Sequence, residues 1–347
     1  MRSNFKGLLY GASSFLNSHG SWGLNMKVHI TGVAGVLGSY LAELFTKMGF
    51  SVQGNDIVRI DEAWRLKGVR DSIKYIWKAT QDLTQEDLAG VDLIIDAGLM
   101  VADRPMGTSS PEFTMLGNLL PPLRLLELVR RIPNNPFVVY PSSFNSLYGH
   151  PPGTTFTEDT LPNPSTVYGW TKGSAELLYL AYHKSFGVRA IITRVGSSFG
   201  PRGRSDELPH RLIIYGLLGR PFKLRSPYAS RLWTYIEDAG SFYMKLVEKI
   251  MDEPDTVVGK VLILAGNKGD RVVTNVELAE LIRRFIPTLE YELGEYEPGE
   301  LINGKPVHFT INSERTRKLL NWQPQYTLEE GLTRTIEWFK QNLHYYV

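Results

Sequence analysis

From residue 26 onward the chain alternates short apolar runs with longer stretches of helical period. KVHIT (27–31), SVQGNDI (51–57), DLIID (92–96) and FVVYPSS (137–143) read as strands, and VRAIITRV (188–195) as the sixth of the series. Between them, helical patterns cover about 37–48, 113–131 and 169–185, the second carrying LRLLELV and ending before Pro133, Asn134 and Asn135. Such alternation predicts βαβ units around a buried parallel sheet. After Val195 the texture changes. GSSFGPRGRSDELP and KLRSPYASR are rich in Gly, Pro, Ser and Arg with a short helix between them, which suits loops that hold a polar ligand. A strand pattern returns at 260–266 (KVLILAG), followed by helices at about 274–286, 313–320 and 328–342.

Composition narrows the classes. In 347 residues, 38 Lys+Arg against 36 Asp+Glu and the lack of any basic run leave no footprint for nucleic acid. There is no cysteine, so disulfides, zinc-thiolate sites and thiol nucleophiles are excluded; no metal site is expected, and a reducing, cytoplasmic setting is. No apolar run reaches the roughly 18 residues of a membrane span. Residues 1–25 hold two basic residues, mixed Ser, Asn and Gly and no sustained apolar stretch, so they read as an extension of unknown role and not as a signal peptide.

Thr31 opens TGVAGVLG, in which Gly32, Gly35 and Gly38 lie between a predicted strand and a predicted helix. Glycines there let the backbone turn tightly against a pyrophosphate, whose charge the first amides of the helix, around Val36 and Leu37, would hold. Asp56 ends the next strand, where a carboxylate accepts hydrogen bonds from the adenosine ribose and repels a 2′-phosphate. That favours NAD over NADP, with nearby Arg59 as the residue that would weaken the preference. Asp82 in TQDLT is a candidate for the adenine amino group, and Ala97 with Gly98 for the dinucleotide channel. The expected fold is therefore α/β: a Rossmann-type doubly wound parallel sheet over 26–196, with return segments near 232–266, and a smaller C-terminal α/β substrate-binding domain made mainly of 197–347.

Tyr168 and Lys172 form Y-x-x-x-K in STVYGWTKGSAELL, and on a helix that spacing puts both on one face. The ammonium is expected to lower the phenol pKa and make Tyr168 an acid or base near neutral pH. With this motif following the glycine-rich turn and the Ser-rich strand end, the sequence resembles the extended short-chain dehydrogenase/reductase family, in its NAD-dependent nucleotide-sugar epimerase/dehydratase branch. TGVAGVLG resembles TGxxGxxG, VVYPSSFNSLYG the strand ending in SS-x-x-VYG, TRVGSSFGPR the LRxxNVYGPR segment, RLWTYIEDAG the RDFVYVDDVA segment, and LLNWQPQYTLEEGLTRTIEWF the C-terminal LGWxPxxSLEEGL pattern. The resemblance covers about 26–342. It implies that Asn118 lies near the cofactor, that Pro201 begins the substrate loop and that a Ser or Thr assists Tyr168. Counting back from Tyr148 lands on Phe144, which has no donor; anchoring on the strand gives Ser143, with one extra residue in FNSL, and Ser142 as the alternative.

Where related dehydratases carry an Asp-Glu pair, this chain has Phe144, Asn145 and Ser146, which disfavours dehydration and decarboxylation; epimerase-reductases that need a Cys/His pair are excluded by the lack of cysteine. What remains is an epimerase, most simply one acting at C4 of a UDP-linked sugar, with Tyr168 moving the hydroxyl proton while NAD takes and returns the hydride. Arg231 is the candidate for the diphosphate. Ser197 stands where the family usually has Asn, and this, with PSS followed by TVYGWTK, also resembles uronate and threonine dehydrogenases, so a net NAD-dependent dehydrogenase is the second reading. A catalytically silent NAD-binding regulator is the third. The Leu-rich helices at 119–129 and 177–180 suit either a homodimer interface or core packing.

Overall fold

The structure, a computed structural model, describes residues 26–98, 110–297 and 299–347; the extension at 1–25 lies outside the described residues. Its centre is a parallel sheet of seven strands: β1 (Lys27–Thr31), β2 (Ser51–Asp56), β3 (Lys74–Trp77), β4 (Leu93–Asp96), β5 (Phe137–Ser143), β6 (Arg189–Val195) and β7 (Val261–Leu264), in the order β7-β6-β5-β4-β1-β2-β3. The near-continuous apolar runs follow from burial on both faces: Val28, Ile30, Leu93, Ile94, Ile95, Val138, Val139, Ile191 and Ile192 are all fully buried. The sheet order reverses between β1 and β4, where Thr31 pairs in register with Asp96, and a crevice opens at the carboxyl ends there.

Eight helices accompany the sheet: α1 (Val36–Lys47), α2 (Pro111–Val129), α3 (Val167–Phe186), α4 (Leu208–Leu217), α5 (Ile236–Asp252), α6 (Asn275–Phe285), α7 (Glu314–Leu320) and α8 (Leu328–Asn342). Helix α3 is started by Thr166, whose hydroxyl accepts from Gly169 N (3.0 Å). Capping boxes of Thr274 with Glu277 and of Thr327 with Glu330 start α6 and α8. Besides short strand pairs, two elements go beyond what the sequence pattern predicts. One is β3, an edge strand KYIW with exposed Lys74 and Trp77; the other is α5, whose Phe242, Tyr243, Leu246, Val247 and Ile250 are buried in the space read as a return segment.

The C-terminal portion contributes short strand pairs beside the sheet, Ser230–Leu232 antiparallel to Val272–Thr274 and Phe222–Leu224 parallel to Tyr291–Leu293. One hydrophobic cluster runs from β1 and α1 through α5 into α4, α6 and α8. The two portions thus share a core, which fixes the loops of one over the strand ends of the other. At one edge an aromatic clasp closes the 200–206 loop. Trp64 stacks on Tyr345 (4.4 Å between centroids, 9° between planes), the Arg65 guanidinium lies 4.3 Å from the Trp64 ring, and Tyr346 donates to Gly203 O (2.8 Å).

Candidate active site

A cavity of about 900 Å³ opens over the carboxyl ends of the strands. Its inner wall is the turn after β1. Gly32 has φ +61°, and a Cβ there would lie 2.7 Å from the Gly98 Cα. Gly35 N donates to Gly32 O (2.9 Å), and Val36 and Leu37 begin α1 at the cavity wall with no acidic residue in that first turn. Asp56 lines the cavity as well; its carboxylate accepts from Ala34 N (2.9 Å) and Val58 N (3.1 Å), bracing the turn while keeping lone pairs for further donors. Arg59 faces away, paired with Asp61 at 3.2 Å and lying 5.6 Å from the centroid of the Trp77 ring. Ala97 and Gly98 line the cavity, Gly98 N donating to the Thr31 hydroxyl (2.9 Å).

Three predicted cofactor residues do not line the cavity. Gly38 packs behind the turn, where a Cβ would lie 2.3 Å from Gly32 O. Asp82 is exposed on a 3-10 turn, and its neighbours Thr80 and Gln81 line the wall in its place. Asn118 is buried between helices, donating to Thr171 Oγ1 (3.2 Å), so that it ties α2 to α3; Gly117, beside it, lines the cavity.

The floor is made by β5 and α3. Tyr168 and Lys172 are both buried and both line the cavity. Burial pushes the Tyr168 phenol up to about 12; a hydrogen bond with the Ser143 hydroxyl pulls the other way, Glu207 adds to the rise and Arg204 opposes it. The expectation that Lys172 brings the phenol near neutrality is not met. The Lys172 ammonium donates to Pro141 O (2.5 Å) and sits 4.2 Å from the Tyr140 ring centroid, so it is directed to the strand and not at the phenol. Burial lowers Lys172 itself to about 8, against the raising influence of Asp96 and Glu176.

Ser143 is the serine joined to Tyr168, and its Oγ also accepts from Asn145 N (3.2 Å) on a 3-10 turn formed by Phe144–Ser146. Ser142 lines the same wall, 3% exposed, and its Oγ makes no hydrogen bond. Phe144 is buried and packs against Phe156 (6.0 Å between centroids).

On the outer wall Ser197 is hydrogen-bonded to the phenol of partly buried Tyr148. Arg231 lines the cavity but is not waiting for an anion. It donates to Glu300 in an ion pair and to Ser230 O (2.8 Å), with Tyr148 5.0 Å from its guanidinium, while the other Glu300 carboxylate oxygen is buried without a partner. Pro201 also lines the cavity. Arg204, in a bidentate pair with Asp206 (2.8 and 2.5 Å), and Glu207 also face the site. Sequence reasoning missed Arg204, Glu207 and Glu300, because nothing in their spacing distinguishes them from other loop charges.

Residues 28–259 match the model of the NAD dependent epimerase/dehydratase family. The chain belongs to that family. Among curated members it is 28% identical over 325 residues to an uncharacterized UDP-glucose epimerase of Bacillus subtilis, covering 90% of this chain and 97% of the relative. It is 26% identical over 331 residues to a dTDP-glucose 4,6-dehydratase of Mycobacterium tuberculosis, covering 91% and 94%. The fold is shared with UDP-glucuronic acid 4-epimerase from Bacillus cereus, solved with UDP-glucuronic acid and NAD, at a TM-score of 0.81 and 23% identity over 91% of this chain and all of that one.

The cavity fits the dinucleotide that defines the family. The glycine turn packs so tightly that a Cβ at Gly32 or Gly38 would collide with backbone, the start of α1 offers backbone amides with no carboxylate in its first turn to repel a pyrophosphate, and the unpaired Ser142 Oγ is a buried polar atom lacking a partner. No helix among the described residues is long and apolar enough to cross a membrane, and no cluster of metal-ligating side chains occurs among them.

Proposed function

We propose that the chain is an NAD-dependent nucleotide-sugar epimerase that inverts C4 of a UDP-linked sugar. The reading is carried by the Tyr168–Ser143 pair at the cavity floor, followed by Phe144, Asn145 and Ser146 where elimination of water would require an acid and a base. Gly32, Gly35, Val36, Leu37, Gly38, Asp56, Ala97 and Gly98 would hold NAD, which would supply the hydride acceptor and donor at C4. Tyr168 takes the C4 hydroxyl proton and gives it back, Ser143 donates a hydrogen bond to the C4 oxygen, and Lys172 holds the cofactor ribose. A phenol raised to about 12 gives up its proton only beside positive charge, and Arg204 is the cation that already pulls it down.

The outer wall, mainly from residues 197–347, would hold the nucleoside diphosphate, with Arg231 leaving Glu300 for a phosphate. The closed Arg231–Glu300 pair also favours a second reading, a net dehydrogenase of a sugar acid or of threonine, which asks for no diphosphate anchor. One experiment separates them: incubation with NAD and a panel of UDP-sugars, followed by NMR of the sugar, beside an assay for NADH with galacturonate, glucuronate and threonine. Conversion to the 4-epimer without net NADH, lost in Tyr168→Phe while NAD still binds, is expected. NADH from a small substrate, with no epimer formed, would overturn the epimerase in favour of the dehydrogenase.

A homodimer built on α2 and α3 is part of the proposal. Leu123 on α2 and Trp170 and Leu177 on α3 are exposed apolar residues on two helices that pack together, as a four-helix interface requires. Light scattering tests it, a monomer mass at micromolar concentration counting against it. We also place the enzyme in the cytoplasm, in keeping with its lack of cysteine; cell fractionation checks this.

A further inference from the structure

Behind the cavity floor lies a buried carboxylate for which the chemistry above has no role. Asp96 ends β4 at 2% exposure. One of its oxygens accepts from the Thr31 hydroxyl (2.6 Å) and the other from the Tyr179 phenol (2.5 Å). The Thr31 hydroxyl accepts in turn from Gly98 N (2.9 Å), and Gly98 is the residue against which the Gly32 turn closes. Through Thr31, then, Asp96 joins the glycine turn to the opposite wall of the cofactor cleft. On its other side Tyr179 stacks on Tyr140 (4.7 Å, 14° between planes), the same ring that the Lys172 ammonium approaches to 4.2 Å.

The charges around Lys172 show why this carboxylate matters. From its own helix it faces Glu176, from β5 Tyr140 and the Pro141 carbonyl, and from β4 Asp96. Glu176 is committed to Arg194 of β6 in a buried bidentate pair (2.5 and 3.1 Å), and Asp96 is the larger of the two raising influences on Lys172. Burial raises the Asp96 pKa, and its bonds to Thr31 and Tyr179 and the field of Lys172 act against that rise; no cation among the described residues is in contact with it. A buried ammonium and a buried carboxylate, each costly alone, offset one another.

We propose that Asp96 is a positioning residue for the reaction, whose buried negative charge keeps Lys172 protonated while its bond to Thr31 holds the glycine turn closed on the cofactor. The proposal deepens the reading of the site given above and rests on it. Burial acts to discharge Lys172, and Asp96 is one of two carboxylates acting against it, so removing its charge moves the lysine titration to lower pH.

The test is an NMR titration of the Lys172 ammonium in the full chain labelled with 15N-lysine, assigned by its loss in Lys172→Met. Asp96→Asn keeps the size of the side chain and removes the charge. The Lys172 midpoint should fall by about one pH unit, the scale of one buried charged neighbour, and the alkaline limb of turnover should move with it. Asp96→Glu should restore both in part. Should Asp96→Asn fail to fold, Tyr179→Phe decides: it strips the carboxylate of a donor that favours its charged form, and the midpoint should move the same way by less. A midpoint unchanged in the folded variant, even with lower stability, means a structural role only and overturns the proposal. Because this titration needs no substrate, an unmoved lysine and an inactive panel of sugar nucleotides are separate failures.

Discussion

The Cα of Gly38 sits so close beneath the carbonyl oxygen of Gly32 that a Cβ there would stand 2.3 Å from it and 2.9 Å from the Cα of Val33. Both obstacles are backbone, so neither can rotate away, and Gly38→Ala must push α1 off the turn. We expect NAD affinity to fall at least about tenfold, with a lower Tm, by the mechanism of overpacking. At Gly35 the added Cβ would be 3.1 Å from the same oxygen, a contact the turn relieves by a small shift, so Gly35→Ala should bind NAD within a few fold of wild type. Calorimetric titration with NAD ranks the two; the opposite ranking would show that the first amides of α1 are not where the cofactor is held.

The two serines at the end of β5 should separate cleanly. Ser143→Ala removes the hydroxyl bonded to Tyr168 and should lower turnover on the order of a hundredfold, as for a lost hydrogen bond made chiefly in the transition state. Ser142→Ala deletes a buried oxygen that has no partner, so the cofactor-free protein should melt no lower than wild type. Its cost should appear in NAD affinity, with turnover at saturating NAD nearly unchanged. A hundredfold loss of turnover in Ser142→Ala would transfer the assisting role to that residue.

Acid should act on His29. The ring is buried beneath the glycine turn, bonded to Asn55 Oδ1 (2.9 Å) and Gln53 Nε2 (3.0 Å), and burial lowers its pKa to about 4. Its folded value lies below the unfolded one, so between about 6.5 and 4 the unfolded chain binds the extra proton and stability drops as pH falls through that window. At pH 5 the loss amounts to roughly 2 kcal/mol. Buried His210, also lowered to about 4, acts in the same sense, while Asp238, raised to about 7, acts oppositely, so the net curve is not diagnostic. Urea denaturation of wild type and His29→Gln at pH 7 and pH 5 is. The variant should lose less stability on acidification, and equal losses would mean that the ring is charged in the folded protein.

What the sequence made legible is what depends on near neighbours. The β1 turn, the start of α1 and the Tyr168/Lys172 spacing lie within single elements whose geometry is set by backbone periodicity, and they appear where the pattern puts them. Asp82 and Asn118 fail for a related reason: within TQD and LGN the helical twist decides which residue faces inward, and it turns Gln81 and Gly117 to the cavity. Arg231 and Glu300, 69 positions apart, are joined only by folding, so the neutralisation of the expected diphosphate anchor has no local signature. The pKa of Tyr168 was misjudged because helical spacing says that two side chains share a face, not where the ammonium points. Here the Pro141 carbonyl takes it.

The clasp at the far end of the chain gives this cleft an unusual mechanical wiring. Gly203, held by Tyr346, is next to Arg204, and Arg204 tunes the Tyr168 phenol. The last aromatic residues thus hold, through a single loop, a charge that acts on the Tyr168 phenol, although they lie more than 170 positions from it. The carboxyl-terminal tail fixes where the 200–206 loop lies over the cavity, from residues that do not themselves line it.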